Sequence, residues 1–283
     1  MELPTLAGPP PALRSVIESM AALKVDQDRF SRTLLGQAFL NDWMQASNTC
    51  AFFPDIYMRR LLPFLFWEEE ASPTKYSALV PVEIAIGASI KGFPHHIKEK
   101  DVPERIAKYR ENKASGAAAS GTYIPALGVY FAHEGKHRVA FMRHHHEPLF
   151  QAEVDNLPYP SPDRLKIVTS SACSELRYAV LDDRYLQVLL APHTTQQILS
   201  RYGVKTTRWN QLENVPSEAG VYRAVCDRQL FAPPGSRSEA ARTLDLHEVL
   251  QQEEKEAQRR QAELKRNTHW KHRLLKHLLG THG

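Results

Sequence analysis

Residues 133 to 137, His-Glu-Gly-Lys-His, have the types and spacing of a hydrolytic zinc site. On one uninterrupted helix, the imidazoles of His133 and His137 would face the same ion, and the Glu134 carboxylate would activate a bound water. Gly135 lies inside the motif, where glycine costs a helix about 1 kcal/mol relative to alanine. Zinc hydrolysis is therefore an alternative interpretation of this segment, with His133 and His137 as the metal ligands.

The same segment also has the types and spacing of a phosphate-binding turn. Glycine at a strand-to-helix junction permits a positive φ or a close backbone approach, and the N–H groups of the next helical turn point toward an anion. Arg138 offers a forked guanidinium for phosphate oxygens, and Lys136 and His137 add donors. This pattern predicts phosphate binding by Gly135, Lys136, His137 and Arg138, with no resident metal. A basic helix start without a ligand, its arginine paired with a carboxylate such as Glu134 or Glu147, is the other alternative.

The C-terminal end of the chain is its most basic part. No proline or glycine occurs between Ser238 and Leu279, which favours one long helix. Residues 251 to 283 contain eight Lys or Arg against four Glu, and this excess of +4 equals the net charge of the whole chain. We expect this helix to bind DNA or RNA phosphates through Arg259, Arg260, Lys265, Arg266, Lys271 and Arg273. A solvated helix face is the alternative.

Local patterns locate the elements that would position the turn. Residues 12 to 47 carry apolar side chains at helical spacing, typical of two helices. Residues 76 to 90 are rich in Val and Ile, which predicts a strand with a bend at Pro81. A short helix follows over residues 101 to 116, with Asp101 as its cap. Next comes a unit of strand, turn, helix and strand that is typical of crossovers, over residues 122–131, 133–135, 136–146 and 149–154.

The second half of the chain has turn and cap signals of its own. A hairpin is predicted about the pair Asp182 and Asp183, and the next helix begins at a threonine, 194 or 195, and ends at Gly203. Residues 220 to 225 are expected to form another strand. The proline-rich segment 156 to 164 is the expected linker. The chain is thus predicted to have an α+β fold in four parts: residues 1–75, 76–156, 157–237 and 238–283.

Composition and charge argue against several classes of protein. A chain of 283 residues that is 42% hydrophobic can bury a substantial core. Cys50, Cys173 and Cys226 are widely spaced without a C-x-x-C pair, which argues against a disulfide framework or a cysteine zinc site. The N-terminus lacks a basic start followed by an apolar run, and charges interrupt the most apolar stretch, residues 51 to 67. We expect a cytoplasmic protein with no membrane partner.

The order of elements around the turn resembles that of the ParB and sulfiredoxin superfamily. Its members carry a G-x-[HR]-R-x-x-A signature between a strand and a helix, and here Gly135, His137 and Arg138 match, with Ala140 one place early. The resemblance covers residues 76 to 156. It implies a ParB/sulfiredoxin-like α/β core, which would follow the N-terminal helices and precede a small α+β module and the long basic helix. It also implies that the turn binds ATP or CTP, together with Mg²⁺.

The chain departs from the superfamily at two informative places. Sulfiredoxins have a cysteine where Lys136 stands, which argues against repair of cysteine sulfinic acid. Partition proteins add a helix-turn-helix after the nucleotide domain, whereas the residues after Pro162 are predicted as strands and one helix. The resemblance therefore implies a nucleotide-binding protein of bacterial or mobile-element DNA metabolism, such as plasmid systems. It would be a nucleotide hydrolase or nuclease, with Glu134, His137 and Arg138 as catalytic residues, or a nucleic-acid-binding protein without catalysis.

Overall fold

A computed structural model describes residues 2–31, 33–36, 53–68, 74–88, 97–112, 118–173, 175–231 and 238–279, with the backbone alone from residue 267 onward. Helices and strands are both abundant, and the strands form two five-stranded sheets. This is the α+β fold predicted from the sequence. Among the described helices, none combines the length and the apolar character needed to cross a membrane.

The first sheet carries the strand that leads into the candidate turn. Its strands are β1 (Tyr76–Pro81), β2 (Ala85–Ile86), β3 (Ser120–Ile124), β4 (Val129–Glu134) and β5 (Leu149–Asn156), in the spatial order β1-β5-β3-β4-β2. The pairs β1–β5 and β3–β4 are antiparallel, whereas β2–β4 and β3–β5 are parallel. Two helices accompany this sheet, α3 (Val102–Arg110) and α4 (Lys136–His144).

Two predictions about this sheet are wrong. The single strand expected over residues 122 to 131 is a hairpin, β3–β4, because the chain turns at Pro125 to Gly128, where proline cannot donate to the ladder. The unit from β4 through α4 to β5 is not a parallel crossover, since β3 lies between the two strands and is antiparallel to β4 and parallel to β5. The bend expected at Pro81 is confirmed, because β1 ends there and a 3₁₀ turn follows.

The second sheet follows the proline-rich segment. Its strands are β6 (Leu165–Thr169), β7 (Arg177–Leu181), β8 (Tyr185–Val188), β9 (Lys205–Arg208) and β10 (Leu244–Asp245), in the order β10-β8-β7-β6-β9. The hairpin predicted about Asp182 and Asp183 joins β7 to β8, and both aspartates have positive φ, as the favoured two-residue hairpin turns require. Helix α5 (Pro192–Tyr202) starts before the predicted threonines and ends at Gly203 as predicted.

Helix α6 (Glu218–Asp227) corrects another prediction, because residues 220 to 225 were expected to form a strand. The Ser217 side chain caps this helix by accepting from Gly220 N, and Val221 and Val225, four residues apart, are both buried. Six residues are too few to distinguish a helical period from a strand period. The long basic helix α7 (Leu246–Leu279) is confirmed.

Two helices of the N-terminal region pack against both sheets, α1 (Arg14–Phe30) and α2 (Pro54–Leu61). The second helix expected before residue 47 lies partly outside the described residues, since 32 and 37–46 are not described. One buried apolar cluster joins Ile17 of α1 and Met58 of α2 to Phe131 of the first sheet and Ile167 of the second. The two sheets therefore share a hydrophobic core.

Candidate functional site

The candidate turn is a single glycine between a strand and a helix. Strand β4 ends at Glu134 and helix α4 begins at Lys136, and Gly135 between them has φ 75° and ψ 18°, in the left-handed region. A Cβ on Gly135 would lie 2.9 Å from the Cβ of Ala119. Glycine is thus required here both by its conformation and by the close approach of residue 119.

Helix α4 is fixed by packing on the side away from solvent. Val139, Phe141 and Met142 are buried, and the Phe141 ring meets the ring of Tyr109 edge-on at 5.4 Å. The first turn of α4 also packs directly on the backbone at residue 87, because a Cβ on Gly87 would lie 2.6 Å from the Cβ of Val139. These contacts hold the start of the helix in one position relative to the sheet.

Arg138, the predicted phosphate ligand, points into the protein. Its side chain is only 6% exposed, its Nη1 donates to Oδ1 of Asn112, and its guanidinium carbon lies 5.2 Å from the centre of the Tyr109 ring. Burial lowers the pKa of Arg138 from its usual value. Oδ1 of Asn112 also accepts from Ala119 N at 2.8 Å. Arg138 therefore holds Asn112 and residue 119 beside the turn.

The alternative pairing of Arg138 with Glu147 is not formed. Glu147 accepts instead from Nε of Arg110 at 3.1 Å, and the two side chains form an ion pair. Arg138 contacts the amide of Asn112 and the ring of Tyr109 rather than Glu147. Sequence analysis did not identify these partners, because both are distant from Arg138 in the chain and neither belongs to a motif.

Lys136 and His137 occupy the first turn of α4, and both are partly exposed. The ammonium of Lys136 lies 4.2 Å from the centre of the Phe53 ring, which places a cation–π contact beside the turn. The three residues Gly135, Lys136 and His137 are therefore together at the N-terminal end of a helix, where backbone N–H groups and the helix dipole favour a negative ligand.

The zinc motif does not have the helical geometry that it requires. His133 and Glu134 lie on strand β4, His137 lies on α4, and the left-handed Gly135 separates them, so that the two imidazoles are not one turn apart on one helix. Across the described part of the chain, no three His, Cys, Asp or Glu side chains are grouped so that they could hold a metal ion.

His133 instead takes part in a line of hydrogen bonds across the first sheet. Its Nε2 lies 2.7 Å from Oγ1 of Thr122 on β3, and this hydroxyl donates to Oδ2 of Asp155 on β5 at 2.9 Å. The threonine hydroxyl has one proton, with which it donates to Asp155, so it accepts a hydrogen bond from Nε2–H of His133. The line positions the exposed imidazole at the end of β4, beside the turn.

The predicted nucleic-acid contacts lie along α7. Arg259, Arg260, Lys265 and Arg266 are all exposed, as is every other residue from 257 to 266. Nη2 of Arg260 lies 3.4 Å from a carboxylate oxygen of Glu256. Lys271 and Arg273 lie in the part of the helix for which only the backbone is described. The four described cations therefore stand on a solvated helix, where phosphate groups could reach them.

Comparison of the chain with models of known protein families finds no match, and comparison with curated proteins finds none either. Function is therefore inferred from the geometry of the turn and from its signature residues.

Proposed function

We propose that the turn between β4 and α4 binds the phosphate groups of a nucleotide. One observation carries this proposal: the left-handed Gly135 stands directly between the end of β4 and the first residue of α4. At such a junction the first N–H groups of the helix point out in front of it, where the dipole is positive. Lys136 and His137 add side-chain donors at the same place.

Arg138 has a positioning role in this proposal. Its contacts with Asn112 and Tyr109 keep residue 119 against Gly135, and so they maintain the shape of the turn. Its charge still favours an anion at the helix start, because a partly desolvated charge is weakly screened. This differs from the direct two-pronged contact expected from the sequence.

The ligand class follows from the resemblance of the signature to the ParB and sulfiredoxin superfamily. It favours ATP or CTP, and a role in bacterial or mobile-element DNA metabolism in the cytoplasm. The accompanying Mg²⁺ needs one or two carboxylates besides phosphate oxygens, and the exposed Glu134 at the end of β4 is the acidic residue at the turn. If the nucleotide is hydrolysed, Glu134, His137 and Arg138 are the residues to test for a catalytic contribution.

Thermal unfolding with four matched ligands tests the phosphate site. ATP or CTP with Mg²⁺ should raise the melting temperature, because a ligand that binds only the folded state stabilises it by about 2.7 kcal/mol at 100 times its Kd. Adenosine and cytidine lack the phosphates and should produce no shift. Failure of both nucleotides to raise the melting temperature, or an equal shift with the nucleosides, would contradict the proposal.

Variants of the turn separate phosphate binding from general charge effects. Lys136→Ala should weaken nucleotide binding by about 1.5 kcal/mol, or tenfold. Lys205→Ala removes an exposed cation from β9 in the second sheet and is the matched control, for which the affinity should not change. Equal affinities of the two variants would show that Lys136 does not contact the ligand.

We also propose that α7 binds nucleic-acid phosphates. The supporting observation is the continuous exposure of residues 257 to 266, which include four of the predicted cations. A helix that served only to pack against the protein would bury an apolar face over this length. This function is independent of the turn, since the two involve different parts of the chain.

A further inference from the structure

A cavity of about 810 Å³ lies beside the second sheet, between the β6–β7 connection and helix α6. Its volume is within the range of small-molecule sites, about 300 to 1,000 Å³. The described residues that line it lie between 170 and 231, and none of these belongs to the β4–α4 turn or to α7. It is therefore separate from both of the functions proposed above.

One side of the cavity is aromatic and exposed. Tyr222 and Phe231 are 51% and 41% exposed, and their ring centres are 6.1 Å apart. Leu176 and Ala219 extend the apolar surface next to them. Large aromatic side chains are usually covered in a folded chain, so a pair that remains exposed at the edge of a cavity offers a surface for the apolar part of a ligand.

A buried tyrosine is also among the residues that line the cavity. Tyr178 is 0% exposed, its ring packs on Trp209 with the ring centres 5.8 Å apart, and its Oη has no hydrogen-bond partner among the described residues. Buried polar atoms without a partner are uncommon in folded proteins because each one loses its hydration without compensation. The Tyr178 hydroxyl is one of these uncommon atoms, and the residue that carries it lines the cavity.

The charged groups among the described lining residues of the cavity are acidic. The Glu218 carboxylate lies at the start of α6, where it accepts from Ser171 N at 3.0 and 3.1 Å and from the Ser170 hydroxyl. A carboxylate has acceptor sites beyond these, so it can accept from a ligand as well. Glu175 is the second acidic residue, and no Lys, Arg or His is among the described lining residues. The cavity therefore favours a cation over an anion.

We propose that this cavity binds a small molecule in which a protonated amine is attached to an apolar ring or chain. The ammonium would donate to the Glu218 carboxylate, and the apolar part would lie against Tyr222 and Phe231. Aromatic faces also attract a cation directly. A nucleotide is disfavoured here, because its phosphates would lie beside two carboxylates.

Three naphthalene compounds of equal apolar size test the charge preference by isothermal titration calorimetry. The amine 1-naphthylmethylamine should bind at least about tenfold more tightly than the alcohol 1-naphthylmethanol. A hydrogen bond from a charged group contributes more free energy of binding than one from a neutral group. The anion 1-naphthoate should bind more weakly than either. Equal binding of all three compounds, or no binding of the amine at millimolar concentration, would overturn the proposal.

Matched variants locate the binding in this cavity. Glu218→Gln keeps an oxygen acceptor for residues 170 and 171 and should remove most of the preference for the amine over the alcohol. Glu213→Gln changes an exposed acid outside the cavity and should bind as the wild type does. Ala219→Phe fills the cavity from an exposed position on α6 and should abolish binding of both compounds. A preference that survives both Glu218→Gln and Ala219→Phe would place the site elsewhere.

The thiol of Cys173 provides a readout that does not depend on calorimetry. Cys173 is exposed and lines the cavity. The amine should slow alkylation of Cys173 by N-ethylmaleimide, measured by peptide mass spectrometry, and 1-naphthoate at the same concentration should not. If Glu218→Gln fails to fold, the slower alkylation of Cys173 in the wild type and the loss of this effect in Ala219→Phe still test whether the amine binds in this cavity. Alkylation at the same rate with and without the amine would overturn the assignment to this cavity.

Discussion

Gly135→Ala should destabilise the protein and weaken nucleotide binding together. An L residue in the left-handed region costs about 1 to 2 kcal/mol, and Gly135 has φ 75°. The new Cβ would also lie 2.9 Å from the Cβ of Ala119 and 3.1 Å from its Cα, and overpacking of this kind adds about 1 to 3 kcal/mol. The free energy of unfolding should therefore fall by about 2 to 5 kcal/mol.

Gly203→Ala is the matched control for this change. Gly203 also has a left-handed φ, 107°, but a Cβ there would meet Pro162 only at 3.5 Å, which is an ordinary contact. Gly203→Ala should therefore lower the free energy of unfolding only by the cost of an L residue with a left-handed φ, about 1 to 2 kcal/mol. The difference between the two variants isolates the close approach of residue 119 to the turn.

Urea unfolding followed by circular dichroism gives the loss of unfolding free energy in both variants. The comparison requires that the unfolding free energy depend on urea concentration with the same slope in each protein. Titration with ATP and CTP then measures the effect on binding. Equal destabilisation of the two variants would refute the close contact between Gly135 and Ala119. Wild-type nucleotide affinity in Gly135→Ala, at a temperature where that variant is folded, would show that the turn is not the phosphate site.

Two further predictions concern the tail and the N-terminal region. Deletion of residues 251 to 283 should weaken binding to DNA or RNA and reduce its dependence on salt, because fewer counterions are released by Lys and Arg contacts; an unchanged salt slope in a filter-binding assay would contradict this. Asp28→Ala should lower the free energy of unfolding by about 3 to 5 kcal/mol, because it breaks the buried ion pair that Asp28 forms at 2.5 Å with Lys24, which is 1% exposed. In the same urea unfolding measurement, the double variant Lys24→Met with Asp28→Leu should lose less unfolding free energy than Asp28→Ala does. A larger loss in the double variant would refute the explanation by the buried ion pair.

Local signals predicted the elements that need only a few neighbouring residues. The hairpin at Asp182 and Asp183 and the end of α5 at Gly203 were identified because turn and cap conformations restrict residue type at the position itself. The uninterrupted α7 was predicted because no helix-breaking residue occurs over its length. The strand–glycine–helix junction at Gly135 was located for the same local reason.

Short apolar segments were predicted less well. Residues 220 to 225 fit a strand by composition, but they belong to α6, where the Ser217 cap and the burial of Val221 and Val225 favour the helix. The sequence pattern predicts one strand in place of the hairpin β3–β4, because the turn at Pro125 to Gly128 lies within an otherwise continuous apolar run. In both cases packing against the rest of the chain decided between two locally acceptable conformations.

The sequence by itself determined the α+β class, the position of the glycine turn and the basic character of the tail, because each depends on composition or on neighbouring residues. Only the tertiary structure decided the partners of the side chains. Arg138 binds Asn112, 26 residues away, and the line from His133 through Thr122 to Asp155 crosses three strands. Such contacts have no local sequence signal, since they exist only after strand order and register bring distant residues together.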